Sequence, residues 1–248
     1  MLFYETARTL LGPLFSLRFR IKVEGKENVP EEGGALIIAN HRSYLDPLVI
    51  AYSVDRFVNF GAGSHLYLFP GSRPIFELVG FFEVNIYGGK EGDRSIDTAG
   101  KLLREGELVG LFPEGIESFM YVHRGSKISE FKTGFARIAL ENHVPIIPCA
   151  IIAEEEKEFF KIPGFLATPF VKHPKAKSGV ELITYRKVTC RIGKPLDLSP
   201  LYDEPITKNL MDMVAAKVRR IVTKLYDGED LERFLTGEKP FNFSSDKV

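Results

Sequence analysis

The chain has 248 residues, 44% of them hydrophobic and 27% charged, with 33 basic and 33 acidic side chains. That length and balance fit one large globular domain and exclude a disordered chain. A net charge of zero excludes the basic excess that marks most nucleic-acid binders. In chain order, Leu2, Phe3, Ala7, Leu10, Leu11, Leu14 and Phe15 recur at helical spacing, and Arg18, Arg20 and Lys22 follow. Pro13 kinks or breaks this helix. It is too short to span a bilayer, and two readings stay open: a helix lying in the membrane interface, or one packed on the protein's own core.

Residues 19–23 alternate apolar and basic, as a half-exposed strand does. Ala35-Leu36-Ile37-Ile38-Ala39 is a short continuous apolar run, the pattern of a strand buried on both faces, and it ends directly in Asn40-His41. Helices are predicted over residues 47–54, 74–79, 94–105 and 133–142, and strands over 57–60, 81–86 and 108–112. Residues 144–152 read as a strand in which Pro145 and Pro148 mark a start or an edge. Strands and helices alternate to about residue 152, which predicts a single α/β domain with a mixed, largely parallel sheet flanked by helices.

Residues 154–178 read as irregular. Glu154, Glu155 and Glu156 look like a solvated run, and Phe159 to Phe170 as a cover for a groove, a lipid contact or core packing. Residues 180–192 form a long strand or hairpin arm. Asp203 and Pro205 start a helix near residue 204, and Gly228 ends it. Leu210, Val214, Val218, Ile221, Val222 and Leu225 give that helix an apolar face; Lys217, Arg219, Arg220 and Lys224 cluster on the other side as a solvated face. The expected organisation is an interface helix over 1–18, one domain over 19–228 and a tail over 229–248.

Two segments carry chemistry. Asn40-His41-Arg42-Ser43-Tyr44-Leu45-Asp46-Pro47 contains an H-x4-D. A histidine serves as a base near neutral pH when a carboxylate fixes its tautomer and orientation. Five residues apart within one regular helix, the two side chains would diverge, so His41 must precede the helix and fold back over its first turn. Asp46-Pro47 as N-cap and N1, or Ser43-x-x-Asp46 as a capping box, allows this. Leu111-Phe112-Pro113-Glu114-Gly115 lies just past a buried strand, where open α/β sheets bind ligands. Each segment alone also fits a plain turn. Phe131-Lys132-x-Gly134 then opens a helix, where Lys132 can meet an anion. The two cysteines, Cys149 and Cys190, read as buried free thiols; no C-x-x-C occurs and no metal site is expected.

Taken together, N-H-x4-D-P, F-P-E-G some 70 residues on, F-K-x-G and V-P-I-x-P resemble, in order and spacing, the glycerolipid acyltransferase family, whose best-known members are the 1-acylglycerol-3-phosphate acyltransferases. The likeness covers roughly residues 20–152. It implies acyl transfer from a thioester, acyl-CoA or acyl-carrier protein, to the hydroxyl of a membrane lipid acceptor, with no cofactor and no covalent acyl-enzyme. It also implies His41 as general base, Asp46 as its partner, and Glu114 and Gly115 at the acceptor and thioester site. Two positions depart from the pattern. Ile86 and Glu117 stand where the family carries arginines that hold the acceptor's phosphate, which weakens anion binding. Lys90, Arg94, Arg124, Lys127 or Lys132 are the cations placed to compensate. A lyso-lipid with another head group, such as an amino-acid lipid or glycolipid, therefore competes as acceptor. A thioesterase and a non-catalytic membrane-binding protein are the readings from other classes; the first lacks any G-x-S-x-G. With no secretory signal and no long apolar run, the protein is expected at the cytoplasmic face of the membrane, its site opening toward the lipid.

Overall fold

The computed structural model describes residues 17–68, 71–85, 90–115, 128–169 and 174–236. The expected interface helix over 1–18 lies almost wholly outside them. So do Ile86, Glu117, Arg124 and Lys127, and all but the first eight residues of the tail expected over 229–248.

Seven strands form one sheet: β1 (Ile21–Glu24), β2 (Ala35–Ala39), β3 (Val58–Gly63), β4 (Phe81–Val84), β5 (Leu108–Leu111), β6 (Ile146–Ile162) and β7 (Val180–Ile192). Their spatial order is β1-β7-β6-β2-β5-β3-β4. Every pairing is parallel except β6 with β7. The helices are α1 (Asp46–Ser53), α2 (Ser72–Leu78), α3 (Lys90–Arg104), α4 (Gly134–Glu141), α5 (Gly164–Ala167) and α6 (Lys208–Asp227).

Strand β2 is the centre of the core, and its apolar run is buried over all five residues. Side chains alternate along it. Leu36 and Ile38 point into a layer shared with α3, α4 and α6, while Ala35, Ile37 and Ala39 face Val49 and Ile50 of α1. Each aliphatic side chain so buried contributes about 1.5–3 kcal/mol. Strands β2 and β5 are neighbours, with Ile38 in register with Leu111. The turns that follow them, Asn40-His41 and Phe112-Pro113-Glu114-Gly115, are therefore brought side by side at the carboxyl edge of the sheet.

Three readings of the sequence change. First, residues 154–162 are not irregular: β6 runs on through them, paired to β7 from Cys149↔Ile192 out to Ile162↔Val180. Second, β6 is an interior strand. Pro148 is tolerated there because β7 has already ended on that side; the next residue, Gly193, donates its N–H to the Pro148 carbonyl at 2.8 Å. Third, α6 begins at Lys208, capped by the Thr207 side chain accepting from the Leu210 N–H, rather than near residue 204. Gly228 ends it in the left-handed conformation as expected. On that helix Lys217 is buried, and Arg219 donates to the Ile128 and Ser129 carbonyls, so neither belongs to a solvated face. Cys149 and Cys190 are buried free thiols, their sulfurs 3.4 Å apart across β6 and β7.

Candidate active site

The first turn is built by Asn40. Its buried side chain accepts from the Ile151 N–H at 2.8 Å and donates to the Ile151 carbonyl at 3.0 Å. An asparagine amide has the same donor and acceptor as a peptide unit. The side chain thus continues the β2–β6 ladder while the main chain turns away, which lifts His41 off the end of the strand.

His41 then meets Asp46 as the H-x4-D requires: Nδ1 lies 2.7 Å from Oδ2. The carboxylate is 0% exposed. Oδ2 also accepts the N–H groups of Arg42 at 2.6 Å and Ser43 at 2.8 Å, and Oδ1 accepts the Tyr185 hydroxyl at 2.5 Å. Four donors compensate the burial of this charge. With the Nδ1 proton directed at Asp46, the neutral ring carries its lone pair on Nε2. The ring stacks on Phe112 at 4.1 Å between centroids. Asp46 is the first residue of α1, and Leu45 before it makes no side-chain cap. Its oxygens serve the preceding turn. The expected capping box is half realised, in the Ser43 N–H bond to Asp46, while Ser43 Oγ donates instead to the Ile183 carbonyl.

Sequence reasoning put Glu114 at the acceptor. The structure puts it beneath the turn: Oε1 accepts the His41 N–H at 2.8 Å and Oε2 the Ser129 N–H at 2.7 Å. Both oxygens are engaged, and the residue is buried. Burial raises the pKa of this carboxyl above the usual value, and the two N–H bonds oppose that rise. Glu114 ties the β5 turn to the β2 turn and so fixes the backbone that carries His41. Gly115 adopts φ +62°, where a side chain is strained, and a Cβ there would press on Lys132 Nζ at 3.3 Å. The Gly115 N–H donates to the Phe112 carbonyl at 3.2 Å, which closes the turn.

His41 opens onto a cavity of about 640 Å³. Its apolar wall includes Leu66, Phe76, Phe81, Ile96 and Phe135; Gly115 and Lys132 lie at its polar end with His41. That size suits a small-molecule or acyl-chain site. Arg94 lies apart, in an adjoining polar depression with Arg73, Glu77 and Glu83. The predicted site residues therefore divide. His41, Gly115 and Lys132 line one cavity, Asp46 and Glu114 support it from below, and Arg94 stands in the next hollow. His65 also lines the cavity, and burial lowers its pKa. Among the described residues no group of three or more metal-ligating side chains occurs.

Tyr185 is the functional residue that sequence reasoning missed. It is wholly buried; burial first, then the Asp46 carboxylate, push its phenol well above the ordinary value, so it stays a donor. It sits 139 residues from Asp46, and its one sequence signal is a hydroxyl-bearing aromatic on a strand beside Ile183 and Val188.

A model of the family described as Acyltransferase matches residues 20–152, more than half the chain. An uncharacterized protein of Mycobacterium tuberculosis is 29% identical over 241 residues, covering 89% of this chain and 66% of the relative. The chain thus spans just under two thirds of that relative's length. A 1-acyl-sn-glycerol-3-phosphate acyltransferase of Bacillus subtilis is 26% identical over 219 residues, covering 88% of this chain and 94% of the relative. The crystal structure of the 1-acyl-sn-glycerophosphate acyltransferase of Thermotoga maritima superposes with a TM-score of 0.56 at 22% identity, over 89% of this chain and 82% of that one, a likeness of fold. On the family model the chain belongs to the Acyltransferase family.

Proposed function

We propose that the protein moves a fatty-acyl group from an acyl thioester to the hydroxyl of a lyso-lipid at a membrane surface, with 1-acyl-sn-glycerol-3-phosphate as the acceptor. The observation that carries this is the 2.7 Å His41–Asp46 pair opening onto a large apolar cavity. The acceptor oxygen attacks the thioester carbonyl carbon while His41 Nε2 takes its proton. The tetrahedral intermediate collapses with cleavage of the C–S bond. The thiolate leaves with the proton from the imidazolium, and an ester remains. Asp46 stabilises the imidazolium between these steps, and the apolar wall holds the acyl chain. The Lys132 ammonium beside Gly115 supplies positive charge where the acceptor's phosphate or the oxyanion would sit. The family relative from Bacillus subtilis, which bears the name of that reaction, supports the choice of acceptor.

A second reading has its own observation. Ile86 and Glu117 replace two expected cations, and a lyso-lipid without a phosphate monoester fits that change. The two are separated by ester formation from an acyl-CoA, or from acyl-carrier protein, with lysophosphatidate, lyso-amino-acid lipids, lysophospholipids and glycolipids in parallel. The proposal expects the highest kcat/KM with lysophosphatidate. Product only from acceptors lacking the phosphate monoester would transfer the assignment to the second reading; thiol release without any ester would make the protein a thioesterase.

A further inference from the structure

Past Ala153, β6 pairs with β7 alone among the described residues, because β2 has ended at Ala39 and the Asn40 side chain reaches only to Ile151. The two strands leave the sheet as a ribbon, on the edge where β2 delivers His41. The root of this ribbon is bound to the catalytic turn. Tyr185 holds Asp46, Arg42 pairs with Glu156 at 3.0 Å, and Ser43 Oγ donates to the Ile183 carbonyl. Ile183 is in register with Glu158, so Ser43 sits level with the middle of the ribbon. Ile162 pairs with Val180, three residues along β7 from Ile183, so at ~3.3 Å each it lies roughly 10 Å beyond that level.

That last stretch changes character. Residues 154–158 hold four glutamates and one lysine. Residues 159–180 hold Lys161, Lys172, Lys175 and Lys177 and no acid at all. In the same stretch Phe159 is 76% exposed, Phe160 55%, Phe165 76% and Leu166 51%. Phe159 falls in a register shift between Glu158 and Phe160, the kind of irregularity that re-aims a side chain. Large apolar side chains gathered at a protruding tip mark a contact surface rather than a solvated loop. Glu181 neutralises Lys161 across the ribbon at 3.1 Å, but residues 163–179 hold three lysines and no acid. Aromatic rings beside such a basic excess suit the head-group layer of an anionic bilayer, where rings enter the acyl boundary and ammonium groups meet phosphates.

We propose that the β6–β7 tip, through Phe159, Phe160, Phe165 and Leu166, docks on the surface of an anionic lipid bilayer and holds the His41 turn at that surface. For the orientation of His41 toward a lipid acceptor it rests on the function proposed above. Two of the four glutamates at the root are paired, Glu154 with Lys187 and Glu156 with Arg42, while Glu155 and Glu158 are exposed on the ribbon before the tip.

The chain contains no tryptophan, so Phe165→Trp in the full chain is a unique reporter. Its emission is read with vesicles of phosphatidylglycerol and phosphatidylcholine, with and without brominated acyl chains, beside cosedimentation. The expected result is a blue shift with bromine quenching on anionic vesicles and a smaller response on neutral ones. Adding Phe159→Glu and Phe160→Glu to the reporter should weaken vesicle binding by roughly tenfold or more. Emission unchanged and unquenched while the protein cosediments would overturn the proposal, because anchoring by another segment leaves residue 165 in water. Failure to cosediment at all, or a shift caused by acyl-carrier protein and not by vesicles, would overturn it as well. Acyl transfer is measured on the same variant with detergent-dispersed acceptor. Transfer without the shift removes the tip and leaves the function; the shift without transfer leaves the tip and removes the function.

Discussion

The parallel centre of the sheet and the β6–β7 ribbon meet at Asp46 and are built in opposite ways. Strands β2 and β5 are buried, short, and end in turns locked by Asn40, Asp46 and Glu114. The ribbon is solvated along most of β6 after Ala153, with burial concentrated at its root. A histidine in the proposed role of base must keep one geometry, and buried, fully hydrogen-bonded groups give that. The ribbon supplies one such group, Tyr185, and then carries large apolar side chains out into solvent. One pair of strands thus spans the rigid site and the exposed edge beside it.

The largest effect is expected at Glu114. In Glu114→Gln one oxygen still accepts a backbone N–H, but the amide group faces the other donor. That leaves a buried N–H unsatisfied, at about 1–3 kcal/mol. The turn carrying His41 loosens with it, so a loss of about tenfold or more in kcat is expected together with a lower denaturation midpoint. Wild-type rate and midpoint would show that the Glu114 bridge is dispensable.

Tyr185→Phe removes the ribbon's bond to Asp46 and leaves the local bonds of Asp46 intact. A hydrogen bond to a buried charge is lost, at about 1–3 kcal/mol. We expect kcat to fall by about tenfold with KM little changed, because Tyr185 touches the base's partner rather than substrate. A rise in KM alone would contradict that positioning role.

The smallest effect lies at the far edge of the sheet. Burial raises the Glu24 pKa, but hydrogen bonds from Lys22 and Arg191 and the charge of Arg191 outweigh it, so the carboxyl lies below its usual 4.5. A folded pKa below the unfolded one adds stability above the unfolded value, and that stability is lost as pH falls through the folded value. Glu24→Gln should therefore lower the midpoint slightly at neutral pH, and the gap to wild type should narrow below pH 4.5 and close as pH falls through the folded carboxyl's lowered value. A gap that persists in acid would assign the effect to packing.

What the sequence revealed follows from the range of the contacts. His41 and Asp46 lie five residues apart, and Ala35 to Ala39 announces its burial by composition, so the first turn and the strand before it were legible. The segment with Glu114 and Gly115 stood out in the sequence, but the contacts of Glu114 did not. Nothing local says that its oxygens meet the N–H groups of His41, 73 residues earlier, and Ser129. The β7 arm of the ribbon was legible over residues 180–192, but the β6 arm was missed because Glu154 to Glu158 lacks the apolar alternation of a half-buried strand; its extended form comes from pairing with β7. Lys217 was misread because helical spacing gives a direction but not the depth of the neighbouring core.

The central claim is that His41, oriented by Asp46, is the base for acyl transfer. Its most direct test is the rate of ester formation by His41→Ala beside the wild-type protein, on vesicles carrying the preferred acceptor, with folding checked by circular dichroism. The account predicts a folded variant slowed by about 10²–10⁴-fold. A folded variant that forms ester at the wild-type rate would contradict it.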